Sequence, residues 1–286
     1  MPAADEAVRR CARVLSGFMS PEIVMGFASG ILVLDPASFH SAWQLQQAAL
    51  PKPFPPAVAN PKVEPMPAAA ATHVQALKAS PLFALNYGAT VDIQMIELGN
   101  VLACQYWVDT HVSGGVHGAG MQATPSLDEL LNTALPLSII PPVNLMTMST
   151  PNGMVAYSMN NTLRVEGPGF DQTTGRVTFA IGLGPNLLLI REHAGRYVLM
   201  NGYHRAWLLR SKKVTMVPAV IAHVADPKDL DLGPGFVSAS VLMGPRPPTV
   251  DDFFNNSVSM DVDVRATLKA VKITAEVSDI PRMLMP

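Results

Sequence analysis

The residues of this chain best spaced to do chemistry are Asn201, Gly202, Tyr203, His204 and Arg205. An Asn-Gly pair lets the backbone turn abruptly, here out of the apolar run RYVLM and into YHRAWLLRS, which reads as a helix. A glycine turn feeding a helix N-terminus presents backbone N–H groups and the positive end of the helix dipole, the chemistry of an anion site. His204 and Arg205 fall in the first helical turn, where both side chains can reach one anion. Arg suits bidentate phosphate contact, and His adds a donor or a proton carrier. The competing reading is structural, with Arg205 capping a loop and His204 satisfied in the core.

Composition sharpens this. Of 286 residues only 15% are charged, against roughly 25% in an ordinary soluble domain, and 49% are hydrophobic. The net charge of −2 argues against a nucleic-acid binder, which needs clustered Lys and Arg. Yet five of the 20 Lys and Arg residues fall between Arg196 and Lys213, beside the glycine turn. Cys11 and Cys104 lie in no metal-binding or redox spacing and read as reduced thiols of a cytoplasmic protein. The longest apolar run, Ile23–Leu34, has 12 residues where a membrane span needs about 20, so it reads as a buried helix or strand.

The elements that must position the turn can be read from pattern. NLLLIR and RYVLM read as two strands joined through EHAG, where Gly195 can take a positive φ, and VTMVPAVIA reads as a further strand after the helix. Upstream, residues 5–17 and 38–49 read as helices, and seven prolines between Pro51 and Pro67 read as an extended linker or strap. A helix is expected near Ala68–Lys78. VDIQMIEL alternates as a half-buried strand, with GNVLACQYWVDTHV able to turn into a helix after it. The four glycines of His111–Gly120 match neither GxGxxG nor a P-loop and read as a plain loop. Ser126 and Glu129 form a capping-box start for the helix SLDELLNTAL. TLRVEG and RVTFAIG read as a hairpin around Asp171–Gly175. FVSASVLM and the alternating segments 258–265 and 271–277 read as strands.

The strand, glycine turn, His-Arg, alanine and later Val-Pro strand (Gly202, His204, Arg205, Ala206, Val217, Pro218) resemble the second nucleotide-binding box of the ParB/sulfiredoxin superfamily. The likeness covers about forty residues and extends faintly to IELGNVLACQ, which resembles the opening strand and glutamine, Gln105, of the first box. Tyr203 stands where sulfiredoxins resemble Cys, so reduction of a sulfinic acid is not expected. Chromosome-partitioning members resemble Glu-Arg-Arg there and carry a helix-turn-helix beyond the box. ParB-like kinases of free serine resemble Asp-Gly-His-His-Arg, and here the acid is the amide Asn201. An Asn can orient a ligand but cannot serve as a general base. A base would come from elsewhere, and Asp109 and His111 follow Gln105; the plainer reading places both in a solvated loop. Glu192 and His193 read as exposed beside the hairpin turn, while His117 and His223 read as structural.

The resulting fold expectation is α+β. A ParB/sulfiredoxin-like mixed sheet with packed helices spans 88–225, with an insertion near 111–185. A helical and Pro-rich N-terminal region covers 1–87 and a β-rich C-terminal extension 226–286. The resemblance implies a nucleoside triphosphate, ATP or CTP, with Mg²⁺ bridging its phosphates. Its contacts would be Gln105, Asn201, Gly202, Tyr203, His204 and Arg205, with Asp109 and His204 as candidate catalytic groups of an NTPase or small-molecule kinase. The alternative keeps the fold as a non-catalytic interaction or scaffold module, bound to a partner protein or to a second copy. Neither a membrane nor a nucleic acid is an expected partner.

Overall fold

The computed structural model describes residues 9–30, 35–51, 60–80, 83, 91–111, 120–137, 146–158, 163–183, 186–265 and 269–274. The glycine-rich loop at 112–119, most of the proline run (52–59) and residues 275–277 of the last expected strand lie outside them. The chain forms two compact units, Met1–Leu137 with Asn186–Ala266 and Ser138–Pro185 with Thr267–Pro286. Among the described residues no helix is long and apolar enough to cross a membrane.

The strands are β1 (Arg9–Val14), β2 (Val63–Pro65), β3 (Val91–Glu97), β4 (Leu102–Ala103), β5 (Trp107–Asp109), β6 (Met146–Thr150), β7 (Gly153–Ser158), β8 (Leu163–Asp171), β9 (Arg176–Leu183), β10 (Leu189–His193), β11 (Arg196–Asn201), β12 (Met216–His223), β13 (Met260–Arg265) and β14 (Lys269–Thr274). The helices are α1 (Pro21–Gly30), α2 (Pro36–Ala49), α3 (Ala71–Ala79), α4 (Leu127–Ala134), α5 (Tyr203–Ser211) and α6 (Ala239–Leu242). The architecture is mixed α and β, as the pattern predicts.

In the larger unit, six strands run in the order β2-β3-β12-β10-β11-β4, with β10–β12 and β11–β4 parallel and the other pairs antiparallel. A second sheet, β13-β1-β5, is antiparallel throughout. Both contribute to one apolar core that includes Val14, Ile190, Leu199, Val220 and Val264. β3 buries Val91, Ile93 and Met95 while Asp92 faces out, the period-2 pattern of its sequence. Pro218 sits in β12 opposite Met95; the Val220 N–H, two residues on, points away from β3 to the Leu188 carbonyl, so the N–H that Pro218 lacks would likewise face away from β3, ahead of the residues that pair with β10.

Three expectations are corrected. Residues 9–14 of the expected helix at 5–17 are a strand. Ala12 and Val14 are fully buried on one face, and β1 is hydrogen-bonded on both edges, so tertiary pairing overrides local helix preference. The segment after β3 does not turn into an α-helix; a 3-10 turn at Leu98–Asn100 leads into the short strands β4 and β5. FVSASVLM is not a strand. Val237 donates to the Cys104 carbonyl (2.8 Å), then the Ser238 carbonyl accepts from Val241 and Leu242 (both 3.0 Å) and opens the turn α6. The capping box on α4 and the hairpin β8–β9 form where the sequence places them, and within the proline run Val63–Pro65 joins the sheet edge as β2.

The smaller unit holds the sheet β14-β7-β6 and the β8–β9 hairpin. Asp171 closes the hairpin turn by accepting from the Thr173 N–H (2.9 Å) and the Thr174 hydroxyl (2.7 Å). Val165, Phe170, Val177 and Phe179 are between 42% and 62% exposed, so a hydrophobic face of this hairpin meets solvent.

Candidate functional site

β10 and β11 are joined by a two-residue turn in which Ala194 (φ 49°) and Gly195 (φ 77°) both take the left-handed conformation, the requirement of a type I′ hairpin. β11 ends at Asn201, whose Oδ1 accepts the Gly202 N–H (2.9 Å). Gly202 has φ 98°, and a Cβ there would lie 3.1 Å from Leu188 Cα and 3.3 Å from Arg205 Nη2. The left-handed turn and the close approach both require glycine. α5 starts at the next residue.

Tyr203, the first residue of α5, points inward. Its hydroxyl donates to the Leu199 carbonyl (2.6 Å) and accepts from the Cys104 N–H (2.6 Å) and the Gln105 N–H (3.1 Å). Burial drives the phenol well above its ordinary range and raises the adjacent Cys104 thiol to about 11. Tyr203 thus ties the turn to the β4–β5 segment, and this is how Gln105 comes to lie beside the turn.

Arg205 is 1% exposed. Nη1 donates to the carbonyls of Thr133 (3.3 Å), Ala134 (3.2 Å) and Asn186, and Nη2 donates to Asn186 Oδ1. The Asn201 amide donates to the same Asn186 Oδ1 (3.3 Å). The guanidinium therefore caps the C-terminal end of α4 and fastens it to the chain entering β10. The structural role weighed for Arg205 is the one that these contacts describe.

His204 is partly buried. Burial lowers its basicity; the Asp109 carboxylate opposes this, and the Arg205 and Arg10 charges add to the lowering. Asp109, at the end of β5, is 6% exposed, and α5 packs against β5. The two groups singled out for catalysis are thus within electrostatic reach of each other, and Asp109 is buried rather than in a solvated loop. Its Oδ2 lies 3.3 Å from Arg10 Nη1, from β1. His111 is exposed.

Arg10 is the member that sequence reasoning passes over. The available signal was a cation on the same strand face as Ala12 and Val14, visible only once residues 9–14 are read as a strand. Among the described residues no group of three or more His, Cys, Asp or Glu side chains is placed to hold a metal ion. Compared with family models, curated proteins and solved structures, the chain matches none of them.

The side chains thus divide by use. Tyr203 and Arg205 hold the fold, Asn201 and Gly202 shape the turn, and His204, Asp109 and Arg10 form an ionisable group at the start of α5. With a helix N-terminus and a base of lowered proton affinity, the arrangement can bind an anion and accept a proton from a neighbouring group.

Proposed function

We propose that the Asn201–Arg205 turn is a ParB/sulfiredoxin-like nucleotide-binding turn and that the chain binds a nucleoside triphosphate, ATP or CTP, by its phosphates. The observation that carries the reading is the left-handed Gly202, which delivers β11 directly into the N-terminus of α5 with His204 in the first turn. Support comes also from the surrounding order: β10, β11, α5 and β12 follow one another as strand, strand, helix, strand in a single mixed sheet, and Gln105 is fixed next to the turn through Tyr203. In this reading Gly202 provides the close approach, the first turn of α5 and His204 meet the phosphates, and Arg205 supports them from beneath. Mg²⁺ would enter on the phosphates and supply charge neutralisation. His204 and Asp109 are the groups to accept or hold a proton if an NTPase or phosphotransferase step follows.

The test is calorimetric and thermal-shift titration with ATP, CTP and GTP in the presence of Mg²⁺, on wild type and His204→Ala. Binding at 100 times Kd stabilises by about 2.7 kcal/mol, an easily seen rise in Tm. The expected result is stabilisation by at least one nucleotide, weakened in His204→Ala. Absence of any shift removes the reading.

A second reading, a non-catalytic interaction or scaffold module, is favoured by the exposed face of Phe170, Val177 and Phe179. Light scattering on the same preparations separates the two. An assembly indifferent to nucleotide and dissolved by Phe170→Ser with Phe179→Ser supports the second reading.

A further inference from the structure

The candidate site needs a cation, and the one that its sequence offers is engaged elsewhere: Arg205 donates to three carbonyls and an amide oxygen. Arg10 lies on β1, outside the strand–turn–helix segment, and its charge reaches His204. Its side chain is 14% exposed and that of Asp109 is 9% exposed, and the two are paired at 3.3 Å. Arg10 Nε is buried and has no hydrogen-bond partner among the described residues. A buried N–H without an acceptor is costly, and in native structures such a group commonly marks a water, ion or ligand. Electrostatics point the same way. With Asp109 alone, the start of α5 would face a buried carboxylate that repels phosphate; Arg10 cancels that charge and leaves a donor over.

We propose that Arg10 is the cationic arm of this site, held in place by Asp109 and donating to the phosphate of a bound polyphosphate anion. The inference rests on the anion-binding reading above and adds to it a residue from the N-terminal strand. Asp109 is on this view a positioning residue for Arg10, and β1 is part of the binding site rather than a flanking element.

The test compares Asp109→Asn with the double variant Arg10→Met/Asp109→Asn by calorimetry, with ATP, CTP, GTP and inorganic pyrophosphate as probes. Both variants lack the buried carboxylate, and they differ only in whether the Arg10 guanidinium is present. The double variant is expected to bind at least about tenfold more weakly, the effect of losing a charge-assisted hydrogen bond. Equal affinities overturn the proposal. A wild type that binds none of the four probes removes the anion-binding reading itself, and this inference with it. A second readout needs no nucleotide: the NMR titration of His204 in the ligand-free protein. Loss of the Arg10 charge in Arg10→Met moves the His204 midpoint upward, because that charge now holds it down. An unmoved midpoint separates Arg10 from the site even where nucleotide binds.

Discussion

Arg205 shows how one residue type can serve either of two ends. Next to a glycine turn, an arginine signals phosphate; buried among carbonyls, it is a bracket. Its hydrogen bonds to Thr133, Ala134 and Asn186 serve the largest of the fully buried side chains. Arg205→Met would fill much of the volume but leave these acceptors without their donor. The expected loss is about 2–4 kcal/mol, since each buried acceptor stripped of its partner costs on the order of 1–3 kcal/mol and neighbours partly compensate. Arg205→Lys should recover little, because a single ammonium cannot span the contacts of both Nη atoms. Urea denaturation of the three proteins checks this, and near-wild-type stability of Arg205→Met would disprove the bracket role. It also makes His204 the cleaner probe of ligand binding, since its removal leaves the bracket intact.

At the scale of elements, three neighbouring strands are fastened by one histidine. His223 at the end of β12 places Nδ1 2.9 Å from Glu192 Oε2 on β10 and Nε2 3.1 Å from Asp92 Oδ2 on β3. Both partners are acceptors, so the ring satisfies both only as the imidazolium. Glu192 and Asp92 hold His223 above its ordinary value of 6.5, while His223 holds Glu192 below 4.5. The other titratable neighbours are His193 and Tyr197, on β10 and β11 beside Glu192. A raised histidine stabilises fully below its unfolded value and loses that contribution as pH rises through the folded one. A lowered carboxylate stabilises above its unfolded value and loses the contribution as pH falls through the folded one. The clasp is therefore strongest between the two ordinary values, 4.5 and 6.5. His223 and Asp92 are half exposed, so the pairs contribute no more than about 1 kcal/mol together, a few degrees in Tm. His223→Gln should lower Tm most near about pH 6 and scarcely at all by about pH 9. A difference that is constant across this range would rule the clasp out. In the sequence this histidine reads as structural, with no partner at metal-ligand spacing, and its two acids lie 31 and 131 residues away.

Taken as a whole, the molecule was legible in its sequence where contacts are local and opaque where they are not. The β10–β11–α5–β12 succession follows from alternation, an Ala-Gly turn and an Asn-Gly swing within forty residues. β1 reads as a helix in the sequence because its strand character comes from β5 and β13; the Arg10–Asp109 pair spans 99 residues. The division into units is likewise a long-range fact, since the smaller one combines 138–185 with 267–286. The points where the larger unit is interrupted are nonetheless held together within it. Ala134 accepts from the Leu188 N–H (2.8 Å), and Arg205 joins Thr133 and Ala134 to Asn186. The described strands of both sheets of the larger unit, and their common core, come from within it. A chain in which a short Gly-Ser linker replaces 138–185 should therefore keep a cooperative thermal transition within a few degrees of the parent. It should also keep whatever nucleotide response the parent shows, because His204, Asp109 and Arg10 all lie in the retained unit. Circular dichroism melting with and without nucleotide checks both. Loss of the cooperative transition would mean that the bracket at Ala134, Asn186 and Arg205 does not close the larger unit on its own.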